Sequence, residues 1–334
     1  MPVLSYVHPR FNAEQCQADI PTLRWQERLL QCLRCQSQAI DPWGTYHDRP
    51  GGKRSWCHGC KRTCNDLTPT LLHQRKRSLP HWMLAVFLLC LSWSSRRIAR
   101  ELGVQSRTRY HWCWWLRNAA VSYESDRHLA GTGEADELYP IAGNKGQATQ
   151  GGPKLLGRRP RGRRKQYEPG RGHDEKDRPA IMAWVSRQGA VISQATRDCT
   201  VKTVQKAADM AVHAGSRLST DSASSSRALK GYMHAFVKHT PQEYARGEVH
   251  EHRAECLFSL LQPSLRVFRG LSKCNLPGYV GFLQFLRNLR QQNACEQAER
   301  ILRAALAPTI ARRARRGECV KCLDHFDLLH TAIN

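Results

Sequence analysis

The period of the apolar positions changes along the chain and marks out its elements. Leu79-Pro80 opens an apolar stretch ending near Ser94, and its longest run, Trp82 to Trp93, is 12 residues. A bilayer requires roughly 20, so the run predicts a buried helix. Beyond it, Ile98, Ala99 and Leu102 share one helical face, Gly103 permits a tight turn, and Ser106 can cap a second helix reaching about Arg117. That is helix-turn-helix patterning. From Gly131 the pattern shortens. Gly133 to Tyr139 alternates acid and apolar side chains, which puts Glu134 and Asp136 on one face of a strand. Ala180 to Ser186 and Ala190 to Thr196, separated by Arg187-Gln188-Gly189, predict a hairpin. Residues 200–213 return to helical spacing through Val201, Val204, Ala208 and Val212, and Arg217 to Asp221 reads as a short strand ending in an acid. Helices follow from about His250 to Leu261 and from Leu276 to about Arg290. Hairpin strands, helix, strand and then helices predict a mixed α/β domain.

Composition narrows the functions open to such a chain. Its 334 residues suggest about two domains at roughly 150 residues each, and 41% apolar content suffices for their cores. The formal net charge of +24, from 52 Lys+Arg against 28 Asp+Glu, excludes an acidic disordered scaffold and points to a polyanionic partner. Met1 to Phe11 lack the charged start and apolar stretch of a secretory signal, so an intracellular, non-membrane protein is expected. Fourteen cysteines in a reducing compartment are better read as metal ligands where their spacing is ordered. Cys32-x2-Cys35 and Cys57-x2-Cys60 each present two thiolates to one tetrahedral Zn2+, and the loop between them can form a small ribbon. A four-thiolate site is closed to water and serves folding. His58 and Cys64 lie near enough to be substitute ligands, whereas Cys90, Cys113 and Cys256 read as core thiols. Near the end, Cys319, Cys322, His325 and His330 have the ligand types for a second zinc, but their short spacing leaves little chain to wrap an ion, and the alternative is a basic terminus.

The candidate chemistry lies in cations and acids. In a helix-turn-helix the second helix enters the major groove by its N-terminal part, nominating Gln105, Arg107, Thr108 and Arg109 for DNA contact; Trp112, Trp114 and Trp115 come too late to read bases and are packing residues. Residues 143–178 form a basic insertion, in which Arg158, Arg159, Arg161, Arg163, Arg164 and Lys165 can meet phosphates. Asp136, Asp221 and Glu255 stand on separate elements. If they converge, they can hold two Mg2+ ions about 4 Å apart for an in-line phosphodiester displacement. Spacing alone does not single out these three acids.

The joint order of these pieces resembles the ISXO2-like insertion-sequence transposases, which carry an N-terminal zinc ribbon and a DDE catalytic domain of RNase H-like fold. The paired Cys-x2-Cys motifs come first, then Thr68-Pro69-Thr70 where that group tends to have Thr-Gly-Thr, then the helix-turn-helix. Glu134-x-Asp136-Glu137, Thr220-Asp221 and His250-x-His252-x-x-Glu255 followed by Phe258 complete the series, over roughly residues 30–292. The resemblance implies Asp136, Asp221 and Glu255 as the metal-binding catalytic acids, with Mg2+ or Mn2+ as cofactor. It further implies that water cleaves the transposon end and the freed 3′-OH attacks target DNA. The partners would be double-stranded DNA at transposon ends and target, and a homo-oligomer on that DNA, in the cytoplasm at the nucleoid.

The implied organisation is an N-terminal segment and zinc ribbon over 1–66, a helix-turn-helix region over 67–120, an RNase H-like α/β domain with a mixed sheet over 130–292, and a basic tail over 293–334. Three positions depart from the pattern. His252 stands where Asn is expected, Phe258 where Trp is usual, and Gln262 where Lys is common. His252 is an alternative third ligand, although imidazole is a softer donor than carboxylate. These departures fit either a divergent enzyme or an inactive, transposase-derived DNA-binding protein.

Overall fold

The computed structural model describes residues 12–25, 31–32, 34–47, 52–73, 77–143, 178–196, 198–221, 229–237, 252–268 and 270–307. These divide into two compact units: the residues up to Tyr123 together with those from Leu289, and Glu124–Asn288.

The first unit opens with helix α1 (Ala13–Trp25). Three strands follow, β1 (Ile40–Thr45), β2 (Lys53–Cys57) and β3 (Arg62–Cys64), in one antiparallel sheet. The turn after β3 is held from α1: the Arg24 guanidinium donates to the carbonyls of Asp66 and, at 2.6 Å, Thr68, and the Trp25 indole donates to Asp66 Oδ1 at 3.0 Å. Thr68 and Thr70 of the quoted motif close hydrogen bonds within that turn, to Asn65 Oδ1 and from the Leu72 amide. Helices α2 (Leu79–Cys90), α3 (Ser95–Glu101) and α4 (Ser106–Tyr123) come next. Ser94 caps α3 by accepting from the Arg97 amide, and Gly103, at φ +58°, supplies the left-handed residue of the turn into α4. Trp112 is buried and stacks on Trp82 of α2, with centroids 4.1 Å apart.

The second unit is built on a five-stranded mixed sheet of β4 (Thr132–Leu138), β6 (Ala180–Ser186), β7 (Val191–Thr196), β8 (Arg217–Asp221) and β9 (Met233–Val237). Its order is β7-β6-β4-β8-β9. β6 is antiparallel to β4 and β7, whereas β4, β8 and β9 run parallel. A two-residue strand β5 (Ala142–Gly143) pairs separately, in parallel, with β10 (Leu271–Ser272). Helix α5 (Val201–Ala211), capped by Thr200, covers one face, where Val204, Ala207 and Ala208 pack with Ala135, Met182, Trp184 and Leu218. Helices α6 (His252–Arg266) and α7 (Leu276–Asn288) cover the other. There Leu138, Ile181 and Ala195 meet Leu261, Leu265, Leu276 and Val280. Alternation along β4 therefore turns 134, 136 and 138 toward α6 and α7.

Strand β7 lies at the sheet edge, where unpaired amides would invite another chain. α7 blocks it. Asn288 Oδ1 accepts from the Val191 amide at 2.8 Å while its Nδ2 donates to the Val191 carbonyl at 2.8 Å, and Gln284 Oε1 accepts from the Ser193 amide at 2.9 Å. Buried Glu124 accepts from Asn288 and, bidentately, from Arg127. The final helix, α8 (Ala294–Ala305), belongs to the first unit, where it packs on α2 and α4. An Asn293–Glu296 capping box starts it, within a segment read from the sequence only as basic tail. One expected core thiol is misplaced: Cys256 is exposed, because the sheet-facing stripe of α6 runs through Ala254, Leu257, Leu261 and Leu265.

Candidate active site and metal centre

Two places bear on chemistry, one in each unit. In the first, Cys32, Cys35, Cys57 and Cys60 bring their Sγ atoms within 4.8 Å of one another. Cys32 lies 3.7 Å from Cys60, and Cys35 lies 3.5 Å from Cys57. A regular tetrahedron with metal–sulfur bonds of about 2.3 Å has edges of about 3.8 Å, whereas a disulfide closes to about 2.05 Å. The four thiols thus have the separation of a tetrahedral thiolate site. A hydrogen bond from the Cys60 backbone favours the Cys57 thiolate and brings its pKa down to about 6. Of the two nearby substitutes, His58 is engaged outside the cluster, 2.6 Å from Asp41 Oδ2, and Cys64 is not a member of it.

In the second unit the central feature is a register. Parallel β4 and β8 pair Thr132 with Arg217 through to Ala135 with Thr220, so Asp136 and Asp221 each follow the last paired residue of their strand. Neighbouring strands lie about 4.8 Å apart, and a crevice beyond the carboxyl ends of parallel strands is where such sheets bind ligands. Asp136 is half-buried, and its Oδ1 accepts from the Glu137 amide at 2.7 Å. On the next strand, Thr220 hydrogen-bonds His234 Nε2 at 2.8 Å, and burial lowers the His234 pKa.

The third predicted acid lies on α6. Ala183, the β6 partner of Asp136, packs with Ala254 and Leu257, the residues flanking Glu255 and Cys256 on the sheet-facing stripe. Glu255 is exposed, at the margin of that stripe and one turn before half-buried Phe258, which packs into the core clusters on both sides. Phe therefore fills the aromatic position where Trp is usual. Gln262 is exposed on the same helix.

The sequence reading assigned Glu134 no role. It is fully buried, and its Oε2 accepts from the amides of Arg253 at 2.8 Å and Ala254 at 3.4 Å. These are first-turn amides of α6, which need acceptors from outside the helix. A hydrogen bond to a charged group contributes about 1.5–3 kcal/mol. Its place on the face of Asp136 was legible in the alternation; its partners, more than a hundred residues away, were not.

Of the nominated DNA-contact residues, Gln105 is exposed ahead of α4, and Thr108 and Arg109 are half-buried on its first turns. The side chains of Arg107, Asp221 and His252 lie outside the described residues, as do Arg158, Arg159, Arg161, Arg163, Arg164, Lys165 and the tail group Cys319, Cys322, His325 and His330. Among the described residues no helix is long and apolar enough to cross a membrane.

The second unit is thus a mixed α/β domain with an acid on each of two adjacent parallel strands and a third on a covering helix. Comparison with known proteins makes this specific: residues 129–288 match the ISXO2-like transposase domain, to which this part of the chain is similar. Over 318 residues, 92% of this chain and 100% of its relative, it is 28% identical to an uncharacterized protein in transposable element ISH50 of Halobacterium salinarum. No solved structure matches.

Proposed function

We propose that the chain is a DNA transposase that binds the terminal inverted repeats of an insertion sequence and carries out metal-dependent strand cleavage and transfer, with Asp136, Asp221 and Glu255 as its catalytic acids. The observation that carries this is the register of β4 and β8, whose paired positions Ala135 and Thr220 immediately precede Asp136 and Asp221, within residues that match a transposase domain. Strand order β7-β6-β4-β8-β9, with β4 central and β6 antiparallel to it, supports the RNase H-like reading.

The donor set fits a hard divalent cation, because carboxylate oxygens suit Mg2+ or Mn2+. When bound, the metal activates the attacking oxygen and stabilises the leaving oxygen of an in-line displacement. Asp136 and Asp221 hold it from the sheet, and Glu255, or His252 in its place, completes the set from α6. Asp136 is oriented by its bond from the Glu137 amide.

In the first unit the four cysteines bind structural Zn2+, and α3 and α4 form a helix-turn-helix whose Gln105, Arg107, Thr108 and Arg109 meet DNA. The basic insertion, with Arg158, Arg159, Arg161, Arg163, Arg164 and Lys165, meets phosphates. The protein works as a homo-oligomer on DNA at the nucleoid.

A second reading, a DNA-binding protein without catalysis, is favoured by exposed Gln262, which offers no charge to a phosphate where the family commonly has Lys. The purified chain with Mg2+ on a duplex bearing its inverted repeat distinguishes the two. Nicking at the repeat boundary that Asp221→Ala abolishes while binding persists supports the transposase. Nicking that survives in Asp221→Ala contradicts the site, and specific binding without nicking by the unaltered chain selects the second reading.

A further inference from the structure

We infer that Glu134 is the positioning residue of the acidic site, tying the strand that carries Asp136 to the helix that carries Glu255. The inference rests on the assignment of those acids proposed above. Glu134 sits two positions before Asp136 on the same face of β4 and is fully buried. Its Oε2 accepts from Arg253 and Ala254, and Ala254 immediately precedes Glu255. The path from one acid to the other therefore runs from Asp136 two residues back along β4, across a carboxylate, and one residue on along α6.

Two kinds of contact hold α6 to the sheet, and they constrain different motions. Ala254 and Leu257 pack on Ala183 and Val185, which sets the distance of the helix from the sheet. Apolar packing is non-directional and tolerates sliding or rotation. The hydrogen bonds to Glu134 are directional, weakening steeply away from linearity, and fix the height and azimuth of the first turn of α6. The negative charge also faces the positive end of a 15-residue helix. A cap supplied by the helix itself would travel with it. This one comes from β4 and is lost when the two elements shift.

The test compares Glu134→Gln and Glu134→Ala with the unaltered chain. Gln keeps an oxygen acceptor and drops the charge; Ala removes both and can unfold the domain, so Gln is the informative variant. Hydrogen exchange at the Arg253 and Ala254 amides should accelerate, while Asn288-dependent protection at Val191 and binding to duplex ends stay as they were. The Mg2+ concentration for half-maximal end cleavage should rise about 10–100-fold, the usual effect of losing a group that orients metal ligands. Mn2+ binding to the protein–duplex complex should weaken in parallel. Unchanged exchange at those amides overturns the inference, as does faster exchange with the original Mg2+ and Mn2+ dependence, which leaves Glu134 a purely structural cap. Asp136→Ala is run alongside. If it is inactive while Glu134→Gln matches the unaltered chain, only the positioning role falls. If it cleaves normally, the site assignment falls and the positioning role with it.

Discussion

Five of the six residues of β1 in the ribbon are exposed, whereas every residue of β6 and β7 in the mixed sheet is buried. Both sheets are made of short strands, but their cohesion differs in kind. The mixed sheet is clad by α5 on one face and by α6 and α7 on the other, with Trp184 and Ile181 wholly buried between them. In the ribbon the place of a core is taken by the four converging thiols, of which Cys32 and Cys57 are buried. On the reading proposed above, a sheet too small to bury apolar surface takes its order from a ligand; one clad on both faces takes it from burial, and burial leaves its strand ends available for chemistry.

Removing the ribbon's metal should have the largest effect. Chelation is expected to forfeit about 10–16 kcal/mol of metal binding, and Cys57→Ser a part of it, and either to open β1–β3, while β4, β6 and β7 keep their hydrogen-exchange protection. Metal analysis and exchange read both at once, and a ribbon that stays protected after chelation breaks the contrast. Next comes the core of the sheet. Trp184→Ala should cost about 3–5 kcal/mol in the unfolding of the second unit and leave zinc content unchanged. Smaller again is Asn288→Ala, which strips the Val191 amide and carbonyl of their partner and should cost about 1–3 kcal/mol, with faster exchange at Val191. An Asn288→Ala chain as stable as the original would mean that water replaces the side chain on the edge of β7.

The sequence made these two regions legible to different depths. Matched Cys-x2-Cys spacings reveal a ligand set directly, because a knuckle is local. The hairpin β6–β7 and helix α5 follow from apolar patterning over a few residues. Helix α1 was missed: Pro21 interrupts it, and its sequence carries no clear apolar stripe. Strand β9 and the β5–β10 pair, at five and two residues each, are too short for a periodic signal. The site was half legible. Alternation put Glu134 and Asp136 on one face, but the pairing of β4 with β8 spans some 85 residues and comes from the fold. Glu134 shows the limit most clearly, since nothing local in the strand reveals that the amides of Arg253 and Ala254 meet its carboxylate.

The central claim is that Asp136 and Asp221 hold the metal that cleaves DNA. A metal-rescue experiment tests it most directly, because a thiolate suits softer cations and binds Mg2+ poorly. Asp136→Cys and Asp221→Cys should fail to nick an inverted-repeat duplex in Mg2+ and recover nicking in Mn2+, with end binding unchanged throughout. Full activity of both variants in Mg2+ would contradict the account.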